Sequence, residues 1–515
     1  MRRLQAAVAG VAAVGAALGV TELVAVLVDG VPSLVSAVGS LVIPFTPPWL
    51  KDWAVATFGT SDKAVLTGGV AIVTLGIGAL AGVQGLSGRR RPAVLVGTFT
   101  VVGLAAALAQ PLAATVPTVV MSALAGGTTW LVLTSAWRLL TDRPAEHPEP
   151  AEAPGLGDPT NPDVPRRNFL ALVGGTGVVA VAATVGARAL RPSEATRAAP
   201  PVSLPSPNRS LPPPAPATSL GVAGLTPIHV PNGDFYRIDT ALTVPRIDVS
   251  RWRLRIHGMV DRELELTYAE LLDRSYAEQD VTIACVSNEV GGRLVGNARW
   301  LGTSLPDLLE EAGVHEGATQ VVGRALDGWT AGFPTQAALD GRGAMVAVGM
   351  NGEPLPRDHG FPARLIVPGL YGYVSATKWL TEIELATLEA FDAYWVPRGW
   401  AKQAPIKTQS RIDVPRDRAT VAPGQVTVAG VAWAPTRGIQ RVEVQVNDGV
   451  WNKAEVSEPL SADAWVQWRT TVDVPPGDHR VRVRATDGGG MTQPSQPVPP
   501  RPDGAEGWHT IRLSA

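Results

Sequence analysis

The fold is decided by one stretch of the 515-residue chain, which reads Asn351-Gly-Glu-Pro-Leu-Pro-Arg-Asp-His-Gly-Phe-Pro-Ala-Arg-Leu-Ile-Val-Pro-Gly-Leu-Tyr-Gly372. Its glycines and prolines predict a turn-rich segment between two strands, Met345–Val348 and Arg364–Val367. A histidine, two arginines and several turn glycines, followed by Lys378-Trp379, offer cationic and backbone donors to an anion. The stretch therefore predicts a site for an anionic, phosphate-bearing ligand in a mixed α/β domain.

The chain has one cysteine, Cys285, near the end of a predicted apolar strand over Val281–Val286. A single cysteine excludes an intrachain disulfide, a cysteine-based zinc cluster and a CxxCH haem attachment. Taken alone, Cys285 is equally well explained as a buried apolar thiol or as a functional thiolate. The sequence has no Gly-x-Ser-x-Gly elbow, zincin-type His/Glu pair or P-loop, so it offers no support for those enzyme classes.

Charge is unevenly distributed along the chain. Hydrophobic residues make up 45% of it and charged residues 17%, and the net charge of −2 excludes nucleic-acid binding driven by bulk charge. Only twelve charged residues precede Thr141. Between them lie apolar stretches long enough to cross a bilayer, which takes about 20 helical residues. The predicted spans are Leu4–Val28, Ala64–Leu86, Ala93–Val116 and Thr118–Trp137, and Val31–Phe45 is predicted as an interfacial or re-entrant segment.

The next segments carry an export signal and two linkers. Residues 1–140 form the predicted four-span region, and 141–167 form a cytoplasmic linker. The linker ends in Arg166-Arg167, the first two residues of the motif Arg166-Arg167-Asn168-Phe169-Leu170. This motif is typical of a twin-arginine signal, although paired arginines also flank ordinary spans on the cytoplasmic side. Residues 168–191 are a fifth predicted span or signal anchor, and the Pro-rich segment 192–224 is predicted to be an extended tether. The sequence does not decide whether the fifth span is cleaved.

The remainder of the chain predicts two water-soluble domains outside the cytoplasm. Residues 225–400 combine strands with short helices in the pattern of an α+β domain. Residues 401–515 change to short alternating strands with turn signals between them, which predicts an immunoglobulin-like β-sandwich. No cysteine pair joins its sheets, so we expect four tryptophans to pack them: Trp433, Trp451, Trp465 and Trp468.

Several motifs together resemble the sulfite oxidase family. They are Cys285-Val-Ser-Asn288, Arg299-Trp300-x-Gly302, the block 351–372 and Lys378-Trp379. The second soluble domain resembles the family's C-terminal domain, and the resemblance covers about Leu225 to Ser514. It implies a molybdenum–molybdopterin cofactor and two-electron oxygen-atom transfer. All seven histidines lie outside the predicted spans, and we expect neither haem nor flavin.

The resemblance also assigns roles to individual residues. It makes Cys285 the thiolate ligand to molybdenum, and soft thiolates suit such metals. The other residues implied to bind the cofactor are Phe235, Tyr236, Arg237, Asn288, His359, Arg364 and Lys378. Arg237 is in addition the candidate anion clamp. Without the resemblance, His359 reads as a turn-stabilising histidine and Lys378 as a solvated charge.

Three positions depart from the pattern of the family's sulfite oxidisers. Asp239 replaces a histidine, Val290 replaces an arginine, and Trp329 falls where a tyrosine lies near the metal. The loss of positive charge weakens the prediction of sulfite as substrate. We therefore expect oxygen-atom transfer on a less anionic, sulfur-containing small molecule, with Cys285, Arg237, Asp239 and Trp329 as the candidate catalytic residues.

The sequence as a whole predicts a membrane-tethered, exported molybdenum oxidoreductase. Electrons must pass to or from an unidentified redox partner, because no haem, flavin or iron–sulfur motif is visible. A sulfoxide-type reductase with the same cofactor is the nearest alternative. A non-catalytic extracellular binding or assembly module that retains the fold is a second one. A homodimer formed through the C-terminal domain is also expected, and no nucleic-acid partner.

Overall fold

A computed structural model describes residues 1–28, 30–47, 50, 53–54, 57–58, 62–110, 113–141, 163–190, 202–274 and 276–515. The chain forms two compact units, one of residues 1–193 with 241–244 and one of residues 194–240 with 245–515. Most of the predicted linker 141–167 lies outside the described residues.

The first unit is helical. Its helices are α1 (Arg2–Leu27), α2 (Leu34–Val42), α3 (Asp62–Gln84), α4 (Arg90–Leu108), α5 (Thr115–Thr141) and α6 (Asp163–Ala189). Five of them, α1 and α3 to α6, contain stretches long and apolar enough to cross a membrane by length and composition. They coincide with the four predicted spans and the fifth. The short α2, with a 3₁₀ turn at Ile43–Phe45, covers the segment predicted not to span.

Small residues let the helices of the first unit approach closely. A Cβ on Gly10 of α1 would lie 2.0 Å from the carbonyl oxygen of Gly78 of α3, so the two backbones are in contact there. The buried Trp137 of α5 donates its indole N–H to the carbonyl of Gly82 at 2.8 Å. Close backbone contact at small residues is typical of helices that pack within a bilayer.

The second unit begins with two sheets and four short helices. Its strands are β1 (Arg253–Gly258), β2 (Leu264–Thr267), β3 (Ala277–Ala284), β4 (Val295–Ser304), β5 (Gln320–Ala325), β6 (Thr330–Pro334), β7 (Met345–Met350), β8 (Glu353–Pro354), β9 (Arg364–Ile366) and β10 (Leu380–Ala386). Its helices are α7 (Tyr268–Leu272), α8 (Leu305–Ala312), α9 (Thr335–Leu339) and α10 (Gly372–Ser375). One sheet has the order β2-β1-β10-β5-β6, and the other has β3-β4-β7-β8 with β9 paired to β7.

The C-terminal part consists of two further sheets. Its strands are β11 (Gln409–Val414), β12 (Ala419–Thr420), β13 (Gly424–Trp433), β14 (Ile439–Val446), β15 (Trp451–Lys453), β16 (Glu455–Val456), β17 (Val466–Val474), β18 (Asp478–Asp487) and β19 (His509–Ser514). The sheet orders are β11-β13-β17-β16 and β12-β19-β18-β14-β15. The predicted β-rich C-terminal domain is therefore confirmed.

The four tryptophans of the C-terminal part have different places. Trp468 lies in the core between the two C-terminal sheets, as expected. Trp433 and Trp465 belong instead to the larger core that they share with the preceding α+β part. Trp451 is half-buried on the outward side of β15, where it contacts Trp508. Strand alternation accounts for the places of Trp433 in β13 and Trp468 in β17, because neighbouring residues of a strand point to opposite faces.

The Pro-rich segment is attached to the domain surface over its described part, residues 202–224. The N–H of Asn208 donates to the carbonyl of Tyr276 at 2.8 Å, and the N–H of Leu220 donates to the side chain of Gln467 at 2.8 Å. Arg299 also donates to the carbonyl of Pro212 at 2.9 Å. This part of the predicted tether is extended but does not stand free, because its backbone groups find partners on the strands beside it.

Candidate functional site

A cavity in the second unit collects most of the predicted site residues. The cavity has a volume of about 140 Å³. Four chain segments line it, at 235–240, 283–287, 325–329 and 359–400. Among the predicted residues, the lining includes Phe235, Tyr236, Asp239, Cys285, Trp329, His359, Arg364 and Lys378. Arg237 and Asn288 are not part of the lining.

Cys285 follows β3 at the start of a tight loop. Its N–H donates to the carbonyl of Leu294 at 2.8 Å, and its carbonyl accepts from the N–H of Asn288 at 3.0 Å. The buried side chain of Asn288 accepts from the N–H of Leu294 at 2.8 Å. Asn288 thus closes the loop that presents the Cys285 sulfur to the cavity. Burial raises the pKa of the Cys285 thiol, although hydrogen bonds from Ser287 act in the opposite direction, so a bound cation is needed to favour the thiolate at neutral pH.

Arg364 brings a buried positive charge to the cavity. Only 4% of the residue is exposed. Its Nη1 donates to the carbonyl of His359 at 3.0 Å, and its guanidinium carbon lies 5.0 Å from the ring centre of Trp300. The buried Nε has no hydrogen-bond partner among the described residues. Burial lowers the pKa of Arg364 to about 10, so the group is still charged at neutral pH and has a donor available for an anion.

His359 is buried and neutral. Its Nε2 lies 2.8 Å from the carbonyl oxygen of Asn232, and its ring meets the ring of Phe235 edge-on with centroids 5.6 Å apart. Burial lowers the pKa of His359 to about 4, although the hydrogen bond to Asn232 opposes this. Nε2 is therefore the protonated nitrogen, since only a donor can bond a carbonyl.

Gly360 allows three of the predicted residues to meet. Its φ of +111° lies in the left-handed region. A Cβ at Gly360 would be 3.0 Å from the Cβ of Lys378 and 3.2 Å from the Cβ of Arg364. Because glycine carries no Cβ, the backbone can turn here directly after His359. The turn brings His359, Arg364 and Lys378 to one wall of the cavity.

Asp239 accepts hydrogen bonds from two cations, Lys378 and Arg237. Its Oδ2 accepts from Lys378 Nζ at 2.7 Å and from Arg237 Nε at 3.0 Å. Arg237 Nη1 donates in addition to Asp358 Oδ2 at 3.3 Å. Burial lowers the pKa of Lys378 to about 8, although Asp239 raises it. Arg237, the predicted anion clamp, is thus held by two carboxylates beside the cavity.

Aromatic side chains form much of the rest of the lining. Phe235 and Tyr236 stack with centroids 5.2 Å apart, and burial raises the pKa of the Tyr236 hydroxyl. The rings of Trp395 and Trp400 lie 6.5 Å apart, and those of Tyr373 and Trp400 lie 5.8 Å apart. Much of the lining is therefore aromatic, and a substrate would meet ring faces and edges there.

The lining residues that sequence reasoning did not name as site residues include Asp327, Tyr373, Trp395 and Trp400. Asp327 accepts from the N–H of Trp329 at 3.2 Å, and burial raises the pKa of its carboxyl group. The Asp327-Gly328 pair is typical of a turn, and this was the sequence signal that could have drawn attention to Asp327. Trp395 and Trp400 lie beyond the last quoted motif, so only their position in the fold reveals them.

Within the described part of the chain, no group of three or more His, Cys, Asp or Glu side chains is arranged to hold a metal ion. Cys285 lines the cavity, and its sulfur is a donor of the type that soft metals prefer. Arg364 Nε, which has no hydrogen-bond partner among the described residues, fits a phosphate group, and the buried carboxyl of Asp327 fits the N–H groups of a heterocycle.

Comparison with known proteins decides the family. Residues 241–395 match the family described as oxidoreductase molybdopterin binding domain, and residues 401–500 match the Mo-co oxidoreductase dimerisation domain. The sulfite oxidase of Gallus gallus is 30% identical over 335 residues, which cover 55% of this chain and 71% of that protein. This chain belongs to the sulfite oxidase family.

Other relatives differ in how much of their length this family member spans. The mitochondrial sulfite oxidase of Macaca fascicularis is 32% identical over 307 residues, which cover 50% of this chain but only 56% of that protein. The uncharacterized oxidoreductase YuiH of Bacillus subtilis (strain 168) is 35% identical over 153 residues, which cover 30% of this chain and 74% of that protein.

The comparisons confirm the family, the oxidoreductase class and the molybdenum–molybdopterin cofactor predicted from the sequence. They also confirm that the C-terminal domain is of the type described as a dimerisation domain.

Proposed function

We propose that this protein transfers an oxygen atom to or from a small sulfur-containing substrate in a two-electron reaction. The observation that carries the proposal is the cavity where the Cys285 sulfur and the buried, incompletely bonded guanidinium of Arg364 occur together. A soft metal ligand and an anion donor in one enclosed site fit a metal carried by a phosphate-bearing cofactor.

Different residues of the cavity hold different parts of the cofactor. The molybdenum cofactor, when bound, supplies the two-electron oxygen-atom chemistry, with water as the source or product of the oxygen. Cys285 binds the metal, and Arg364 and Lys378 bind the phosphate and the pterin. His359 donates its Nε2 proton to Asn232 and therefore presents Nδ1 as an acceptor. Phe235 and Tyr236 pack against the cofactor, and Asn288 holds the Cys285 loop in position.

The charge of the site favours a substrate less anionic than sulfite. Asp239 and Asp358 neutralise Arg237, and Asp239 also pairs with Lys378 at 2.7 Å. Val290 replaces the arginine of the family pattern. With the clamp already bound to carboxylates, a dianion gains little attraction here. We propose that Arg237 and Asp239 set the charge of the site and that Trp329, which lines the cavity, contacts the substrate.

The aromatic lining favours one second candidate, a sulfoxide-type reductase. Trp329, Trp395, Trp400 and Tyr373 offer ring faces and edges to a neutral substrate. Sulfur beside an aromatic ring is stabilised by about 0.3–1.5 kcal/mol. The two candidates share the cofactor and differ in the direction of oxygen transfer.

We also propose that the protein is a multi-pass membrane protein whose catalytic domain lies outside the cytoplasm. Five apolar helices of sufficient length and the arginines that flank them support this. In this proposal residues 1–140 form the four-span region, 141–167 carry the twin-arginine motif, and 168–191 form the fifth span. Residues 192–224 connect it to the molybdopterin domain, residues 225–400.

The C-terminal domain, residues 401–515, is proposed to be an immunoglobulin-like sandwich that joins two copies of the chain. Its two sheets of short strands and the match to the dimerisation domain support this. A separate redox protein is proposed to exchange electrons with the cofactor.

Metal and pterin analysis of the purified full chain tests the proposed function. We expect about one molybdenum and one pterin per chain, because a site with a single protein thiolate holds one metal. Cys285→Ser should lose the molybdenum and keep the melting profile, since only the sulfur changes. Folded wild-type protein without metal or pterin would instead favour a non-catalytic binding module.

A further inference from the structure

The outward side of the sheet β12-β19-β18-β14-β15 carries many cationic side chains. On β18, Val481 and Val483 fill the core between the C-terminal sheets, so the alternate residues of this strand point outward. The strand register places cations of the neighbouring strands on the same side. We call this surface the basic face, and its cations are Arg441, Lys453, Arg480, Arg482, Arg484 and Arg512.

Carboxylates on the basic face are fewer than its cations. Glu443 accepts from Arg484 at 3.0 Å and lies 3.3 Å from Arg441. Asp448, whose side chain is 79% exposed, pairs with both Arg480 and Arg482. Asp478, opposite Ser514 in the register, is the third. Three carboxylates against six cations leave the face with a clear positive excess.

An arginine stacked on two tryptophans lies on this face. The guanidinium carbon of Arg484 is 4.1 Å from the ring centre of Trp451 and 5.8 Å from that of Trp508. The two rings meet edge-on with centroids 4.9 Å apart. The side chain of Val450, next to Trp451, is 78% exposed. Tryptophan and arginine are enriched at the energetic centres of protein interfaces.

We propose that the basic face docks the acidic surface of a different protein. Alternate residues of one strand lie about 7 Å apart, so the three arginines follow one another along β18. Arg480 and Arg482 both pair with Asp448, and Arg484 pairs with Glu443. Guanidinium groups bind carboxylates in a planar, two-pronged geometry. The carboxylates Glu443 and Asp448 hold the arginines in fixed orientations, so little side-chain freedom is lost when a partner binds.

A second copy of the chain is the less suitable occupant. A twofold interface places the same patch on both subunits, and the positive excess of each basic face would then meet its equivalent. Like charges at an interface cost free energy. A lipid surface is also less suitable, because its phosphates would approach Glu443 and Asp448 together with the arginines. An acidic protein surface can place cations of its own opposite those two carboxylates. The inference is independent of the proposed chemistry, since no residue of the basic face lines the cavity.

Fluorescence anisotropy of a labelled glutamate homopolymer, titrated with the full chain in detergent, tests the proposal. Binding is expected to weaken as salt is added. The triple variant R480Q/R482Q/R484Q should bind at least about tenfold more weakly, because it removes the three guanidinium groups of β18. The matched control is R251Q/R255Q/R262Q, which removes three arginines that also pair with carboxylates, on the molybdopterin domain. It should change the affinity less than about twofold.

Three results would overturn the proposal. Equal loss of binding in the control variant would mean that the homopolymer responds only to net charge. Conversion of a dimer to a monomer by the triple variant, measured by light scattering, would make the face a contact between two copies. Binding of the wild type to phosphatidylglycerol vesicles but not to the homopolymer, lost in the triple variant, would make it a membrane-binding face. The single variant R482Q is the control for folding. Its melting temperature should equal that of the wild type, and its loss of homopolymer binding should be smaller than that of the triple variant.

Discussion

Asp239 and Lys378 form a buried ion pair at the cavity, with Oδ2 and Nζ 2.7 Å apart and only 3% of the Asp239 side chain exposed. The same carboxylate oxygen accepts from Arg237 at 3.0 Å. Asp239 therefore pairs with two cations, and together with Asp358, which also accepts from Arg237, it balances their charges.

The first prediction concerns this neutralisation. Asp239→Asn should strengthen the binding of sulfate to the cofactor-loaded protein by about tenfold, because Lys378 and Arg237 lose their shared carboxylate. Isothermal titration calorimetry measures the dissociation constant. Asp307→Asn, on the exposed side of α8, is the control and should change it little. Unaltered sulfate affinity in Asp239→Asn would show that Asp239 does not set the charge of the site. Fast steady-state oxidation of sulfite by the wild type would contradict the proposed substrate class.

The second prediction concerns the buried guanidinium. Arg364→Gln should copurify with much less pterin, at least about tenfold below the wild type, because a buried charged donor to a phosphate is lost. Arg364→Lys should restore only part of it, since an ammonium cannot form the two-pronged contact. Pterin fluorescence after oxidative release gives the content. Arg324→Lys, at a half-exposed pair with Glu384, is the matched control. Full pterin content in Arg364→Gln would remove Arg364 from the cofactor site.

The third prediction is an acid-dependent loss of stability. Burial lowers the pKa of His359 to about 4, against about 6.5 for an unfolded histidine, so the folded protein binds fewer protons between these values. The stability due to His359 is therefore fully present above pH of about 6.5 and is lost as the pH falls towards 4.

The melting temperature of the cofactor-free protein, scanned across this pH range, measures the effect. His359→Gln should lose less stability on acidification than the wild type. His509, whose pKa burial also lowers to about 4, should account for part of what remains. His315→Gln, at a half-exposed imidazole beside Asp261, is the control and should follow the wild-type curve. A His359→Gln curve parallel to that of the wild type would refute the assignment.

The fourth prediction concerns export. The double variant R166K/R167K should lose transport of the catalytic domain across the membrane, because twin-arginine signals require the guanidinium pair. Protease protection of the domain in spheroplasts measures its location. R89K/R90K, at the start of α4, keeps the flanking positive charge and should leave export unchanged. Undiminished export of the first variant would show that Arg166 and Arg167 only flank an ordinary span.

The sequence predicted the parts of the fold that depend on local pattern. The helices α1 and α3 to α6 follow from apolar stretches that leave almost no choice of partner except lipid or another helix. The strands β14 and β18 follow from the alternation of apolar and polar residues along each of them. The described part of the Pro-rich segment, 202–224, differs most, because its attachment depends on strand edges far away in the chain.

The candidate site was predicted in part. Cys285, His359, Arg364 and Lys378 lie in recognisable motifs, and the structure brings all four to one cavity. Arg237 was expected to clamp an anion, yet the tertiary structure pairs it with Asp239 and Asp358. Arg237 and Asp239 are close enough in sequence for this pair to be expected. Asp358 lies in the 351–372 stretch, and no local pattern predicts that it contacts Arg237.

The sequence by itself determined the family, the cofactor and the separation of an apolar helical part from a part of ordinary charge, because these depend on motifs and on charge along the chain. Only the tertiary structure decided that Arg364 Nε has no hydrogen-bond partner among the described residues and that Asp239 pairs with both Arg237 and Lys378. It also decided that Trp451 stacks on Arg484 at the surface. These properties are set by burial and by distances between residues remote in sequence. Burial and nearby charges determine how stable the charged form of a side chain is, and both depend on the tertiary structure.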